Sequence, residues 1–217
     1  MSEAVDLARE LEEEDVRLAA EIESVAELQR RVSETGVRAA ELEEFGRALP
    51  SERERLVRAV AEAGAELAAR EAAVQALESA PVEDEAAARR AKVRARDQVT
   101  GAERHIERLR EEQAELEAKA AAVPAEPSRL AAEAAEVTDA LTTHAIPPPS
   151  PDPPSLVEWA SRARAALLVE RSGLDTRREQ LVREANELAS SVLGETVSSS
   201  VPGVRRRLEH AVRGRAP

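Results

Sequence analysis

The sequence predicts an all-α fold: a long antiparallel coiled-coil hairpin, kinked at Pro50 and Pro124/Pro127, with a third long helix after a polyproline linker. Three observations indicate this. Apolar residues recur in heptads along residues 3–79 and again along residues 84–144. Only 1% of the 217 residues are aromatic and 34% are charged, which favours thin helix-on-helix seams over a thick core. A proline-rich stretch and a capping motif then introduce another helical pattern.

The first arm of the predicted hairpin covers residues 3–79. One series of seam positions takes every seventh residue from Leu11 to Val74, and a second series runs from Leu28 to Leu77. Both series keep their phase through Pro50. An unconstrained break would keep phase about one time in seven, because a heptad has seven possible phases. We therefore expect one arm with a kink at this proline.

The second arm is predicted over residues 84–144, after a turn near Pro81 in which Asp84 caps the new helix. Its heptads also keep their phase through an interruption, here at Pro124 and Pro127. We expect a second kinked arm for the same reason as in the first. The two arms and the turn between them make a predicted hairpin domain of residues 3–146.

Four separate helices are the alternative to two kinked arms. Ser51 and Glu54 have the spacing of a capping box directly after Pro50, and Ser128 follows Pro127 as a candidate N-cap. Under this alternative, each proline ends one helix before the next begins.

A register for the two arms follows from folding the chain back at Pro81. Facing residues then have numbers that sum to 162, which places Leu28 beside Ala134 and Val32 beside Leu130. Large side chains mostly meet small ones in this register, so the helices can approach closely. A register one heptad away would place Pro81 inside a helical seam.

The remaining chain divides into four predicted segments. Residues 147–154 form a stiff polyproline linker, which alternatively serves as a docking site for a proline-recognising domain. A third amphipathic helix covers residues 155–193, opened by a capping box of Ser155 with Glu158 and ended at Gly194. Residues 194–203 are predicted as a flexible linker, and residues 204–217 as a short basic helix or tail.

The third helix carries the residues that we consider for partner binding. Its narrow apolar stripe suits either packing on the hairpin base or an association face. The only tryptophan of the chain lies one turn after the capping box, where it either anchors this helix to the hairpin or forms a binding hot spot. The candidate partner-binding residues are Trp159, Leu167, Leu174, Leu181 and Leu188.

The C-terminal segment has the opposite charge to the chain as a whole, whose net charge is −12. A solvated tail is the first interpretation, and weak contact with nucleic acid, anionic lipid or an acidic partner is the second. The segment lacks aromatic residues that stack on bases. The candidate contact residues are Arg205, Arg206, Arg207, Arg213 and Arg215.

No catalytic, cofactor-binding or metal-ligating motif is found in the sequence. It lacks a phosphate-binding loop, and neither Lys92 nor Lys119 precedes a serine or threonine. The three histidines are far apart, so no helical zinc or di-iron pattern exists. The paired carboxylates lie on predicted solvated faces instead of apolar pockets. We therefore expect a protein that is not an enzyme and that holds no cofactor or metal.

The predicted cellular location is the cytoplasm. No apolar run approaches the roughly 20 residues that span a bilayer. The N-terminal residues are acidic and lack the basic and apolar regions of a signal peptide. The absence of cysteine gives no information on the redox compartment.

The heptads of residues 4–144 resemble the antiparallel coiled-coil arms of SMC-type chromosome-maintenance ATPases. The ATPase heads of that family and their lysine motif are absent from this sequence. The resemblance therefore implies only a shape, a rod that spaces or brings together other molecules, and it transfers no catalytic residue.

The sequence favours a non-enzymatic scaffold or adaptor that mediates protein–protein interaction or self-assembly. Its partner is then another protein or a second copy of the chain. A DNA-associated, SMC-like accessory rod that uses the basic tail is the alternative. A holdase-like chaperone is a third class, and it requires an exposed apolar patch near Pro81, which the sequence does not indicate.

Overall fold

The structure, a computed structural model, describes residues 2–81, 84–147 and 155–214. These residues contain no strand, so the predicted all-α fold class is confirmed. The helices are α1 (Ser2–Ser79), α2 (Glu85–Ala122), α3 (Glu126–Thr143), α4 (Leu156–Leu193) and α5 (Val201–Arg213), with a 3-10 turn at Val123–Ala125 between α2 and α3.

The chain forms two compact units. Unit 1 contains residues Met1–Ala39 and Leu130–Pro217, and unit 2 contains Ala40–Arg129. This division differs from the predicted one, which keeps residues 3–146 together. Of the predicted proline linker, only Pro147 belongs to the described residues.

Helix α1 continues through Pro50 without interruption. Ser51 does not cap a new helix, because its hydroxyl donates to the carbonyl oxygen of Ala48, 2.8 Å away. The predicted alternative of a separate helix that begins at Ser51 is therefore wrong. Alanine, glutamate and arginine, which are strong helix formers, make up most of the surrounding sequence and offset the hydrogen bond lost at the proline.

The second arm, in contrast, is divided into two helices. The chain leaves α2 through a 3-10 turn that contains Pro124, and α3 begins at Glu126. Pro127 then lies in the first turn of α3, where its missing N–H has no intrahelical partner to lose. Ser128 is therefore inside the helix and is not its N-cap. The predicted cap at the other end is confirmed, because Asp84 accepts hydrogen bonds from two backbone N–H groups of α2.

In unit 1, α4 packs against α1 and α3 and forms a three-helix core. Close approach is possible here because the facing residues are small. A Cβ atom built on Gly36 of α1 would lie only 2.7 Å from the Cβ of Ala160 of α4. The first hydrophobic cluster contains Val25, Leu28, Val32, Ala134, Val137, Leu141, Ile146, Trp159, Ala160, Ala163 and Leu167.

A second cluster of unit 1 joins the beginning of α1, the end of α4 and α5. The first turns of α1 are covered by these two helices. The buried residues of this second cluster are Ala8, Leu181, Ala185, Ala189, Val197, Val201, Val204 and Leu208.

Unit 2 has a smaller apolar core. It is formed by Leu56 and Ala63 of α1 with Ile106 and Leu109 of α2. No described residue between 64 and 101 is buried, because the side of α2 that faces α1 in this stretch is mostly alanine. The helix pair of unit 2 therefore has a well-packed part and an open part.

The hydrogen-bonded pairs between α1 and the second arm correct the predicted register. In unit 1, Ser24 pairs with His144 and Arg31 with Glu136. In unit 2, Arg53 pairs with Glu117, and Arg70 with the backbone oxygen of Gln98. The numbers in these pairs sum to 167–170 instead of 162, which is a shift of about one heptad. In each unit the packed segments run in opposite directions.

Candidate interaction surfaces

Trp159 anchors α4 inside unit 1. Its side chain is only 4% exposed, and its indole N–H donates to the hydroxyl of Thr138 on α3, with 3.2 Å between the two atoms. The N-cap that positions this turn is the predicted one, because Ser155 accepts a hydrogen bond from the backbone N–H of Glu158. The anchoring role considered from the sequence is therefore confirmed, and Trp159 is not an exposed hot spot.

The leucine stripe of α4 is also used within the chain. Leu167 is buried in the first cluster, and Leu181 is buried in the second. Leu174 and Leu188 are partly buried against the same two clusters. The expectation that these leucines form an exposed partner surface is thus corrected: α4 needs them to cover α1, because the α1–α3 pair leaves one apolar side open.

The basic C-terminal segment is a packed helix instead of a free tail. Helix α5 buries Val204 and Leu208, and Arg205 lies 2.8 Å from Glu12 of α1. The two atoms, Arg205 Nε and Glu12 Oε2, form an ion pair without an aligned hydrogen bond. The predicted solvated tail is corrected for this reason.

The other candidate arginines of this segment differ in their surroundings. Arg206 and Arg207 are exposed and form no ion pair among the described residues. Arg213 lies 4.0 Å from Glu209, and Arg215 is outside the described residues. Arg207 and Arg206, whose Nε also donates to the backbone oxygen of Pro202, are therefore exposed guanidinium groups on α5.

The segment before α5 is fixed by side-chain hydrogen bonds, although the sequence predicts a flexible linker over residues 194–203. Asn186 accepts from the backbone N–H of Ser199 at 2.8 Å and donates to its carbonyl oxygen at 3.0 Å. The Ser190 hydroxyl accepts from the N–H of Val197, which is buried. Gly194 ends α4 in the left-handed conformation, with φ of 73°, as its position predicts.

A groove of about 650 Å³ in unit 1 is lined mostly by charged side chains. Arg178 of α4 contacts Asp15 of α1, with 2.7 Å between nitrogen and oxygen. This hydrogen bond, with the charge of Asp15, raises the pKa of Arg178. Arg178 is therefore held in its charged form and is not prepared to transfer a proton. The groove therefore resembles a structural ion-pair site more than an active site.

The histidines and carboxylates also give no metal site. His144 forms a 2.9 Å hydrogen bond with Ser24, while His105 and His210 are exposed. No group of three His, Cys, Asp or Glu side chains with ligating geometry occurs in the part of the chain that the structure describes.

Unit 2 exposes a basic surface that the sequence reasoning above did not identify. Residues 89–96 of α2 contain five cationic side chains and no carboxylate. Among the described residues, only Arg96 of these five forms an ion pair, with Glu78. The run of arginines is visible in the sequence as a local excess of positive charge, but the net charge of −12 for the whole chain conceals it. A charge count in short windows would have found it.

Apolar side chains are exposed near the same end of unit 2. Val93 is 54% exposed and Leu77 is 36% exposed. Exposed apolar side chains therefore occur on the two helices that flank Pro81, which the sequence did not indicate.

The described residues form an all-α protein of packed helices. None of these helices combines the length and the apolar character that a membrane span requires. No protein-family model, curated protein or solved structure matches the chain.

Proposed function

We propose that this chain is a non-enzymatic helical scaffold or adaptor, which mediates protein–protein interaction or self-assembly. The observation that carries the proposal is the open part of unit 2. Between residues 64 and 101, no described side chain is buried, although α1 continues its apolar heptads there through Val74 and Leu77. Helix α2 covers these positions only in part, since Val74 is half-buried and Leu77 is 36% exposed. In a coiled coil such positions are covered by a partner helix.

The contrast between the two units supports this role. Unit 1 uses its apolar stripes internally, so that Leu167, Val137 and Val204 are fully buried. The apolar core of unit 2 is smaller and is formed by Leu56, Ala63, Ile106 and Leu109. A stable helical body with an open helix pair is the arrangement expected of a protein that holds others.

Crosslinked affinity capture from native lysate tests the proposal. Equal amounts of light and heavy isotope-labelled chain distinguish crosslinks between two copies from crosslinks within one copy. We expect intermolecular crosslinks, to a foreign protein or to a second copy, that map to residues 64–101. The double variant Val74→Ser with Leu77→Ser should lose them, while the control Val169→Ser, which changes an exposed valine of unit 1, should keep them. Absence of intermolecular crosslinks from the unaltered chain would reject the proposal.

The second candidate function is a DNA-associated, SMC-like accessory rod. The observation that favours it is the exposure of Arg206 and Arg207 on α5. Phosphate contacts of such residues weaken with salt, so binding should be strongest at low salt concentration. A fluorescence anisotropy titration of duplex DNA at about 50 mM salt tests this candidate. Unchanged anisotropy, or a signal that Arg206→Glu with Arg207→Glu leaves unaltered, would exclude it.

A further inference from the structure

The outer face of α2 carries a stripe of charged residues that the fold of this chain does not use. The residues follow each other at spacings of four and three, so they lie along one side of the helix. This side is opposite Ala102, Ile106 and Leu109, which are buried against α1. The stripe consists of Arg90, Arg94, Asp97, Gly101, Arg104, Arg108, Glu111 and Glu115, all of which are exposed.

Along the stripe the charges run in short blocks of one sign, with Arg90 and Arg94 before Asp97, and Arg104 and Arg108 before Glu111 and Glu115. Arg90 and Arg94 are four residues apart, as are Glu111 and Glu115, and like charges at this spacing destabilise a helix. No charged residue of the stripe forms an ion pair among the described residues. Helix α1, in contrast, pairs most of its exposed arginines with carboxylates three or four residues away, such as Arg58 with Glu54. Among the described residues the stripe therefore holds no ion pair, although Arg94 with Asp97 and Arg108 with Glu111 have a spacing that permits one.

The same order becomes complementary when the stripe meets an antiparallel copy of itself. If facing residues have numbers that sum to 205, Arg90 faces Glu115, Arg94 faces Glu111, and Asp97 faces Arg108. Each of these pairs occurs twice in a twofold-symmetric contact, because both copies contribute the same surface. Every charged position of the stripe except Arg104 then faces the opposite charge.

Arg104 meets Gly101 at the centre of this contact. Glycine weakens a helix interior, and a Cβ atom at this position would have no neighbour within 4 Å. Nothing in the described chain therefore requires a glycine at position 101. Opposite Arg104 of a second copy, its missing side chain leaves room for the arginine stem.

We propose that the outer face of α2 is a self-association surface, on which two copies of this chain pair antiparallel through complementary charges. This inference rests on the proposed function and specifies its partner as a second copy. The carboxylates of the stripe itself, Asp97, Glu111 and Glu115, also disfavour a nucleic acid on this face.

Charge-swap variants of the full chain test the pairing by sedimentation equilibrium. We expect the unaltered chain to dimerise at about 0.1 M salt and to dissociate toward about 1 M, where the Debye length is only about 3 Å. The acidic variant, Arg90→Glu with Arg94→Glu, should dimerise at least about tenfold more weakly, because glutamates then face glutamates. The basic variant, Glu111→Arg with Glu115→Arg, should be weakened for the equivalent reason.

An equimolar mixture of the two variants should dimerise again, because each copy then offers the charges that the other lacks. The matched control is Arg89→Glu with Arg110→Glu, which has the net charge of the acidic variant but changes exposed α2 residues outside the stripe. It should dimerise as the unaltered chain does. All substituted positions are exposed, and circular dichroism should show unchanged helix content.

Three results would overturn the inference. The first is that the unaltered chain sediments as a monomer at about 0.1 M salt. The second is that the acidic variant dimerises as well as its control, and the third is that the mixed variants remain monomeric. Binding of duplex DNA by the unaltered monomer would also overturn the inference, in favour of a polyanion site, if no mixture of the variants restores that binding. In each case the scaffold proposal is still decided separately, by the crosslinks that Val74→Ser with Leu77→Ser removes.

Discussion

Trp159 of α4 and Thr138 of α3 are joined by a hydrogen bond of 3.2 Å between the indole nitrogen and the threonine oxygen. Thr138 in turn donates to the carbonyl oxygen of Ala134, 2.7 Å away. One hydroxyl therefore satisfies the buried indole of α4 and remains bonded to its own helix. This relationship fixes how α4 is oriented on the core of unit 1.

We predict that Thr138→Val destabilises the chain by about 1–2 kcal/mol, because the buried indole N–H loses its acceptor. The control is Thr142→Val, which removes an exposed hydroxyl from the same helix and should change the free energy of unfolding by less than about 0.5 kcal/mol. Urea unfolding, followed by circular dichroism, measures both. Equal effects of the two substitutions would show that the indole hydrogen bond contributes nothing.

Gly36→Ala should destabilise the chain by about 1–3 kcal/mol, because the new methyl group overlaps the side chain of Ala160. The control is Gly64→Ala, also in α1, where the added Cβ meets no atom within 4 Å. This control should stabilise the chain by about 0.5–1 kcal/mol, since alanine favours a helix over glycine. Ala160→Gly should recover part of the Gly36→Ala loss. Opposite signs for the two glycines, measured by thermal unfolding, are the result that tests the packing.

Asn186→Ala should release the segment that leads into α5. Both hydrogen bonds to Ser199 are lost, so the backbone N–H groups of Val197 and Ser199 should exchange with deuterium about tenfold faster. Hydrogen–deuterium exchange with mass spectrometry measures this change. Glu187→Ala, an exposed neighbour, is the control and should leave the exchange of these groups unaltered. Slow exchange in Asn186→Ala would mean that the burial of Val197 alone fixes the segment.

Arg53 and Glu117 should make the stability of unit 2 sensitive to acid. The hydrogen bonds from Arg53 lower the pKa of Glu117 below its ordinary value. A carboxylate whose pKa is lower in the folded state stabilises that state above its unfolded pKa, and this stabilisation disappears as the pH falls through the folded value. Arg53→Gln should therefore lower the melting temperature at about pH 7 and make little difference at about pH 2.

The double variant Arg53→Gln with Glu117→Gln separates this pair from other carboxylates. It should show the same loss near neutral pH as the single variant, with no further dependence on the titration of Glu117. A melting temperature that Arg53→Gln lowers equally at both pH values would contradict the assignment to this ion pair.

Local features of the fold were predictable from the sequence because short-range chemistry determines them. Asp84 and Ser155 cap the helices that follow them, and Gly194 ends α4, as their residue types and positions indicate. The interruption at Pro124 was also visible. Its form was not, since a proline that lies in the first turn of a new helix and one that kinks a helix share the same local pattern.

The register was not predictable, because alanine-rich heptads accept a shift of seven residues with little change in packing. Ion pairs at the edge, such as Arg53 with Glu117, distinguish the alternatives only when both arms are seen together. The packing of α5 had a partial signal in the spacing of Val201, Val204 and Leu208. Its partner Glu12 is almost 200 residues away in sequence, so the run of arginines suggested a solvated tail instead.

The buried alanines of α4 have a consequence at the level of the genetic code. Ala163, Ala185 and Ala189 are completely inaccessible to solvent, and each lies where two helices meet closely. A single-nucleotide change of an alanine codon produces valine, threonine, proline, aspartate, glutamate, serine or glycine. All but the last two are clearly larger, and those two form helices less readily. Almost every point mutation at these codons that changes the amino acid is therefore expected to be purged, so descendants of this gene should keep the alanines even where the charged surface diverges.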